Sequence, residues 1–116
     1  MNEIRNATVA KVFIGFQDHG FLTIMLHLDY GSSGQGFGGY VLGTHGKQTT
    51  VPHCGEWIRC LLELFEVDDF ADIKGKSCRA AIDGDGFGKV LRIGHFLKDK
   101  WFDPEEINAR LKETAR

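Results

Sequence analysis

The chain has 116 residues, of which 42% are hydrophobic and only two are prolines, so we expect one folded domain over residues 1–116 with a modest core. With a formal net charge of −2, the chain has neither the excess of basic residues of a protein that binds nucleic acid polymers nor the high density of acidic residues of a nucleic acid mimic. Three cysteines without framework spacing favour reduced thiols, and no apolar run is long enough for a secretion signal or a membrane span. We therefore expect a soluble cytoplasmic protein that binds neither nucleic acid polymers nor membranes.

The N-terminal part of the chain predicts a β-hairpin. Residues Ile4–Phe16 are rich in β-branched and aromatic side chains, and this composition resumes at Phe21–Leu28 after an interruption around Gly20, as in two strands joined by a short loop. Apolar residues alternate in the second segment, which predicts that one face lies in the core. The residues on that face are Leu22, Ile24, Leu26 and Leu28.

The next segment, GSSGQGFGGY at 31–40, is unusually rich in glycine. Glycine loses more conformational freedom on folding than any other residue, so such a stretch needs a reason in positive φ angles or in close approach by another group. We expect a loop between two strands here. Residues 40–42 then predict a short strand, and residues 43–48 a polar loop.

From Glu56 the apolar period changes to that of an amphipathic helix. The apolar positions are Trp57, Ile58, Leu61, Leu62, Leu64 and Phe65. The segment Asp68–Gly75 then predicts a connection with about one helical turn.

The last third of the chain predicts a second hairpin and a terminal helix. Ser77–Ile82 and Lys89–Phe96 flank a glycine-rich segment that is typical of a hairpin tip. Asp103–Glu106 supplies an N-cap, a proline at the first helical position and an acid at the third. The whole order predicts an α+β fold, in which an antiparallel β-sheet core carries one central amphipathic helix and a short C-terminal helix.

Several catalytic and cofactor motifs are incomplete, and we expect neither a cofactor nor a metal site. The glycines at 34, 36 and 39 match a dinucleotide fingerprint, but the residues that follow predict a strand where that fingerprint requires a helix. His45, His53, Cys54 and Cys60 lie close in sequence but lack a zinc spacing. No nucleophile motif is present, and Asp18-His19 is more typical of a turn than of an acid and base pair. A non-enzyme is therefore favoured, with a small hydrolase of a nucleotide-like substrate as an alternative.

The glycine-rich loops supply groups for a candidate nucleotide-binding site. Such a site needs N–H or hydroxyl donors for phosphate, a guanidinium group for charge and an aromatic face for the base. The candidate ligand-binding residues are Ser32, Ser33, Gly34, Gln35, Gly36, Phe37, Gly38, Arg59, Arg79, Phe87 and Arg92. The residues alone favour the structural alternative, in which Phe37 and Phe87 fill the core while the glycines permit sheet curvature or a bulge.

Several segments resemble a family of small proteins encoded in phage and prophage genomes. The similarity spans nearly the whole chain, and its most specific parts are G-Q-G-F-G-G-Y at 34–40 and I-G-H-F-L-K-D-K-W-F at 93–102. Further matching segments are N-A-T at 6–8, D-H-G at 18–20, L-D-Y-G-S-S at 28–33 and E-W-I-R at 56–59.

The domain is also similar to the sponge proteins of the Thoeris anti-defence type, which combine a β-rich core with C-terminal helices and sequester cyclic ADP-ribose isomers. This resemblance implies immune evasion in the host cytoplasm by stoichiometric capture of a small nucleotide without turnover. It also implies a homo-oligomer, because a pocket shared between protomers suits so small a domain. No binding residue is transferred by this resemblance.

A protein–protein inhibitor of a host defence protein is the competing function. In that case exposed aromatic residues, with Trp57, Trp101 and Phe102 as candidates, would anchor the interface, and the glycine loops would be architectural. Ordinary core packing is the structural alternative for the two tryptophans.

Overall fold

The fold is seen in a computed structural model that describes residues 3–17, 20–31, 33–38, 42–44, 54–83 and 89–114. Strands β1 (Glu3–Gln17) and β2 (Phe21–Asp29) form the predicted hairpin, whose turn includes Gly20 at a φ of +86°. Strand β3 (Gly34–Gly38) pairs with β2, and so does the two-residue strand β4 (Gly43–Thr44). The first half of the protein is therefore an antiparallel meander.

The second half contributes two helices and the remaining strands. Helix α1 spans Cys54–Phe65 and is followed by a 3-10 turn at Phe70–Ile73, as the sequence predicts. Strands β5 (Ser77–Ile82) and β6 (Val90–His95) form the second hairpin. After them come the short strand β7 (Trp101–Phe102) and the C-terminal helix α2 (Pro104–Thr114).

One antiparallel sheet joins the strands in the order β3-β2-β1-β5-β6-β7. Strand β1 holds it together, because its first half pairs with β5 and its second half with β2, with a bulge between Val9 and Lys11. The sheet curls until β3 approaches β6, although no ladder joins these two strands among the described residues. The predicted α+β fold is confirmed.

The core lies inside the curl, where α1 covers it. Trp57 and Leu61 of α1 are buried there, and Phe102 of β7 contacts two aromatic rings edge-on, with centroid distances of 5.2 Å to Trp57 and 5.8 Å to Phe37. The two ends of the sheet thus meet across a single aromatic cluster. Alternate residues of the strands point away from it and form the outer face of the sheet.

Two local expectations are wrong. The predicted glycine loop is instead strand β3 over Gly34–Gly38, and residues 43–44 form strand β4 where a polar loop was expected. Leu42 is buried but lies outside any strand, while Tyr40 and Val41 lie outside the described residues. Strand β7 was not expected from the sequence, because two residues carry no detectable period.

Candidate functional site

The outer face of the sheet carries an aromatic ring at the end of the molecule where α2 begins. Trp101 in β7 pairs with Gly94 in β6, and its neighbour Phe102 points into the core, so Trp101 points outward. A Cβ atom on Gly94 would lie 2.7 Å from the Trp101 ring. The ring therefore packs directly on the glycine backbone, and its Nε1 donates a 3.2 Å hydrogen bond to Asp99 Oδ1.

Two of the three predicted arginines converge on this ring. The guanidinium carbon of Arg79 lies 4.8 Å from the Trp101 ring centroid, and that of Arg92 lies 4.9 Å from it. Both distances fit cation–π contacts. Arg79 pairs with Gly94 across β5 and β6, and Arg92 lies two residues before Gly94 on the same strand face. The register of three strands therefore builds a cluster of two positive charges around one indole.

Arg92 also contributes to the wall of a cavity of about 300 Å³ between β6 and the start of α2. The Nε atom of Arg92 is buried and has no hydrogen-bond partner among the described residues. The cavity is lined by Lys89, Leu91, Arg92, Asp103, Pro104, Glu105 and Asn108. It thus brings cationic, anionic and amide groups together.

The turn between β6 and β7 is held by the His95 imidazole. Its Nδ1 accepts hydrogen bonds from the backbone N–H groups of Leu97 at 3.0 Å and Lys98 at 2.9 Å, and its Nε2 lies 3.3 Å from Glu66 Oε1. Because Nδ1 accepts, the proton of the neutral ring is on Nε2 and faces the carboxylate. Both ring nitrogens of His95 therefore have partners.

Glu66 is the anionic centre of this turn. Its carboxylate binds the ammonium groups of Lys98 and Lys100 as well as His95. Hydrogen bonds from Lys98, then from Lys100 and His95, lower the pKa of Glu66 from 4.5 to about 2. The I-G-H-F-L-K-D-K-W-F segment is thus a single hydrogen-bonded unit that positions Trp101 beside the arginines.

The glycine-rich strand β3 lies at the other end of the strand order, and two of its glycines, Gly34 and Gly38, are required by close contact with the backbone of β2. A Cβ atom on Gly34 would lie 2.7 Å from the Leu28 carbonyl oxygen, and one on Gly38 would lie 2.2 Å from the Ile24 carbonyl oxygen. An open groove of about 590 Å³ runs along the outer face here. It is lined by Ala10, His27, Leu28, Asp29, Gly31, Ser33, Gly34, Gln35 and Gly36.

The structure does not unite all the predicted site residues. Ser33, Gln35 and Gly36 border the groove, but Phe37 is 3% exposed and packs in the core. Arg59 is on α1, beyond the core from the outer face, and pairs with Glu56 and Glu63. Ser32 and Phe87 lie outside the described residues.

The three aromatic residues suggested as anchors for a protein interface differ in their exposure. Trp57 and Phe102 are each 1% exposed and belong to the core, so exposed anchoring is wrong for both. Trp101 is only partly buried. Lys89 and Asn108, which line the cavity beside Arg92, are not among the residues that the sequence predicts. The pairing of Gly94 with Trp101 across the β6–β7 hairpin is a usable sequence signal for a ring lying on a sheet.

Within the part of the chain that the structure describes, no group of three metal-binding side chains lies close enough to hold an ion, and His45 and His53 fall outside that part. All three cysteines are thiols. No helix in the described ranges has the length and hydropathy to cross a membrane. No family of known proteins, no curated protein and no solved structure matches the chain.

Proposed function

We propose that this chain is a phage-encoded counter-defence protein that binds and sequesters a nucleotide immune signal, such as a cyclic ADP-ribose isomer or a cyclic nucleotide, without turnover. The observation that carries the proposal is the cluster of Arg79 and Arg92 on Trp101. It supplies positive charge for phosphate and an aromatic surface near it, which are the two features that a nucleotide site requires.

Capture without turnover is supported by the state of His95, the nearest histidine in the described part of the chain. A general base needs a ring nitrogen that can take a proton from the reacting group. In His95, Nδ1 already accepts two backbone N–H groups and Nε2 faces Glu66. This imidazole therefore has a structural use in the turn, and it offers no nitrogen for hydrolysis of a ligand bound at Trp101.

The proposal is tested by native mass spectrometry after the protein is mixed with cyclic ADP-ribose isomers and cyclic nucleotides. We expect one nucleotide to be retained and to be released unchanged by heat. Trp101→Leu should weaken retention by about tenfold, because the ring that orients both arginines is lost. Phe96→Leu, which alters an exposed aromatic residue on the neighbouring turn, is the matched control. A chemically altered nucleotide would indicate a hydrolase, and retention of none would contradict capture.

An inhibitor that acts through a protein interface is favoured by a separate observation. Phe96 and Leu97 are 40% and 83% exposed on the turn that His95 and Arg79 hold. A rigid apolar tip is costly to leave in water and is suited to a hydrophobic pocket on a partner. Leu97→Asp should then abolish counter-defence activity in infected cells while nucleotide retention is unchanged. The opposite pattern would favour sequestration.

A further inference from the structure

The two arginines on Trp101 differ in what their guanidinium groups already bind. Arg79 donates from Nε to the His95 carbonyl oxygen and from Nη2 to the Lys98 carbonyl oxygen, both at 2.8 Å. Its hydrogen-bonding edge is therefore used to fix the β6–β7 turn. Arg92 has a buried Nε with no acceptor in the described residues. The guanidinium of Arg92 makes no hydrogen bond to any described residue, and Arg92 lines the cavity, so its terminal N–H groups are the donors that an anionic ligand there would use.

The cavity next to Arg92 contains two further donors. Lys89 lies on its wall, and so does Asn108. The Trp57 indole donates to Asn108 Oδ1 at 3.1 Å, and since an indole N–H can only donate, this bond identifies the amide oxygen. The two N–H groups of the Asn108 amide have no acceptor among the described residues and can serve as donors to a ligand. Together these groups suit an oxyanion.

The wall of this cavity also carries hydrogen-bond acceptors, and these acceptors restrict the class of ligand that it can bind. Asp103 and Glu105 contribute carboxylates, and one oxygen of Asp103 already accepts from the Glu105 backbone N–H at 3.0 Å. The formal charges of Lys89 and Arg92 are balanced by these two acids. A polyphosphate would be repelled by the carboxylates, whereas a single phosphate on a sugar offers charge to the arginine and hydroxyl donors to the acids.

We infer that the cavity between β6 and α2 binds a sugar phosphate group, with Arg92 holding the phosphate and Asp103, Glu105 and Asn108 facing the sugar. The inference rests on the proposed function, because a ribose phosphate is the part of a nucleotide that this cavity would take. Of the two proposed classes of signal it favours cyclic nucleotides with single phosphates over cyclic ADP-ribose isomers, whose two phosphates are joined as a pyrophosphate. Arg92 is then the ligand arginine, Arg79 is a positioning residue for the turn, and Trp101 orients both.

The test uses ribose 5-phosphate as a probe, followed through the side-chain Nε–H resonance of Arg92 and the amide resonances of Asn108 in ¹⁵N NMR spectra of the full chain. We expect both to shift on addition of ribose 5-phosphate, with an affinity about tenfold above that for ribose or for inorganic phosphate. Equal affinity for inorganic phosphate would contradict a sugar site. Absence of any shift at these resonances would overturn the proposal.

A matched pair of variants separates the site from general electrostatics. Arg92→Lys keeps the charge but removes the planar donor pair, so we expect affinity for ribose 5-phosphate to fall at least about tenfold. Arg59→Lys makes the same change on α1 and should leave it unchanged. The same spectra verify that each variant is folded. Unchanged affinity in Arg92→Lys would refute the inference even if nucleotides are retained, while loss of nucleotide retention with ribose 5-phosphate binding intact would refute only the proposed function.

Discussion

Glu66 ends helix α1 in a conformation that residues with a side chain rarely adopt. Its φ is +56°, and the N–H groups of Glu66 and Val67 bond back to the carbonyls of Glu63 and Leu62. This is the Schellman arrangement, in which glycine is usual at the position that Glu66 occupies. A side chain is tolerated here because its carboxylate gathers Lys98, Lys100 and His95. The backbone strain at Glu66 is thus offset by the ion pairs that connect helix α1 to the β6–β7 turn.

The ion pairs of Glu66 predict a specific dependence of stability on pH. The pKa of Glu66 is lowered from 4.5 to about 2, so the carboxylate contributes stability that is complete above its ordinary pKa and is lost as the pH falls through the folded value. We expect Glu66→Gln to lower the Tm at pH 7, with the difference from the unmodified protein shrinking between pH 4.5 and 2. Thermal unfolding followed by circular dichroism checks this.

Glu63→Gln is the control, because Glu63 forms one exposed pair with Arg59, and such pairs contribute little. Its effect on Tm should be smaller than that of Glu66→Gln at neutral pH. A difference for Glu66→Gln that stays constant down to pH 2 would show that the ion pairs do not produce the effect.

Gly31 and Gly38 have similar φ angles but different surroundings, so substitutions at the two positions distinguish the cost of backbone strain from the cost of a steric clash. Gly31 and Gly38 have φ angles of +105° and +112°. Among the described residues, an added Cβ at Gly31 meets no atom within 4 Å, whereas one at Gly38 would lie 2.2 Å from the Ile24 carbonyl oxygen. We expect Gly31→Ala to destabilise the protein by about 1 kcal/mol. Gly38→Ala should cost about 3 kcal/mol or more, because β3 must move away from β2. Urea unfolding of both variants measures the difference, and equal losses would contradict the close approach of the strands.

At the scale of elements, helix α2 begins where the sequence predicts because its cap is local. The side chain of Asp103 accepts from the N–H groups of Glu105 at 3.0 Å and Glu106 at 3.4 Å, and Pro104 has no N–H that would need a partner. We expect Asp103→Ala to destabilise the protein by about 1 kcal/mol, since two helix N–H groups lose their acceptor.

Asp103→Asn serves as the comparison for this helix. Asparagine caps a helix about as well as aspartate, so the unfolding free energy of the Asp103→Asn variant should remain within a few tenths of a kcal/mol of that of the unmodified protein. If Asp103→Ala and Asp103→Asn lower the unfolding free energy by the same amount, the negative charge at the start of the helix stabilises it and the hydrogen bonds of the cap do not.

The elements that the sequence predicts correctly are those whose signals are local. The alternation in β2, the apolar period of α1 and the Asp103-Pro104 cap are each contained in a few consecutive residues, and all three are present in the structure. The composition of β3 predicts a loop, because glycine disfavours strands. Its glycines are explained only by the close approach of Leu28 and Ile24 on β2, which no local pattern reveals.

The candidate site was partly predictable for the same reason. Arg79 and Arg92 were chosen for their chemistry, but the sequence did not distinguish them from Arg59, which the fold puts on α1. Their convergence depends on the register of β5, β6 and β7 around Trp101. Register between strands is a tertiary property, and the orphaned Arg92 donor follows from it. The sequence therefore indicates which residue types could bind a ligand, but only the strand pairing shows which of them lie together.

For the whole molecule, the central position of β5 makes Cys78 a reporter of global unfolding. Cys78 pairs with Ala7 of β1 on one side and with His95 of β6 on the other, and it is fully buried. Burial raises the pKa of its thiol to about 12, so little thiolate is present at neutral pH. Cys54 and Cys60 are partly exposed.

We expect Cys54 and Cys60 to react with a thiol reagent in the native protein, whereas Cys78 reacts only when the sheet opens. A Cys54→Ser, Cys60→Ala variant leaves Cys78 as the single thiol, and its labelling rate across low denaturant concentrations gives the free energy of the opening that exposes it. Because β1 pairs with both β2 and β5, separation of β5 disrupts the whole curl. The opening free energy should therefore equal the global unfolding free energy of that variant. A clearly smaller value would mean that β5, β6 and the arginine cluster open as a separate unit.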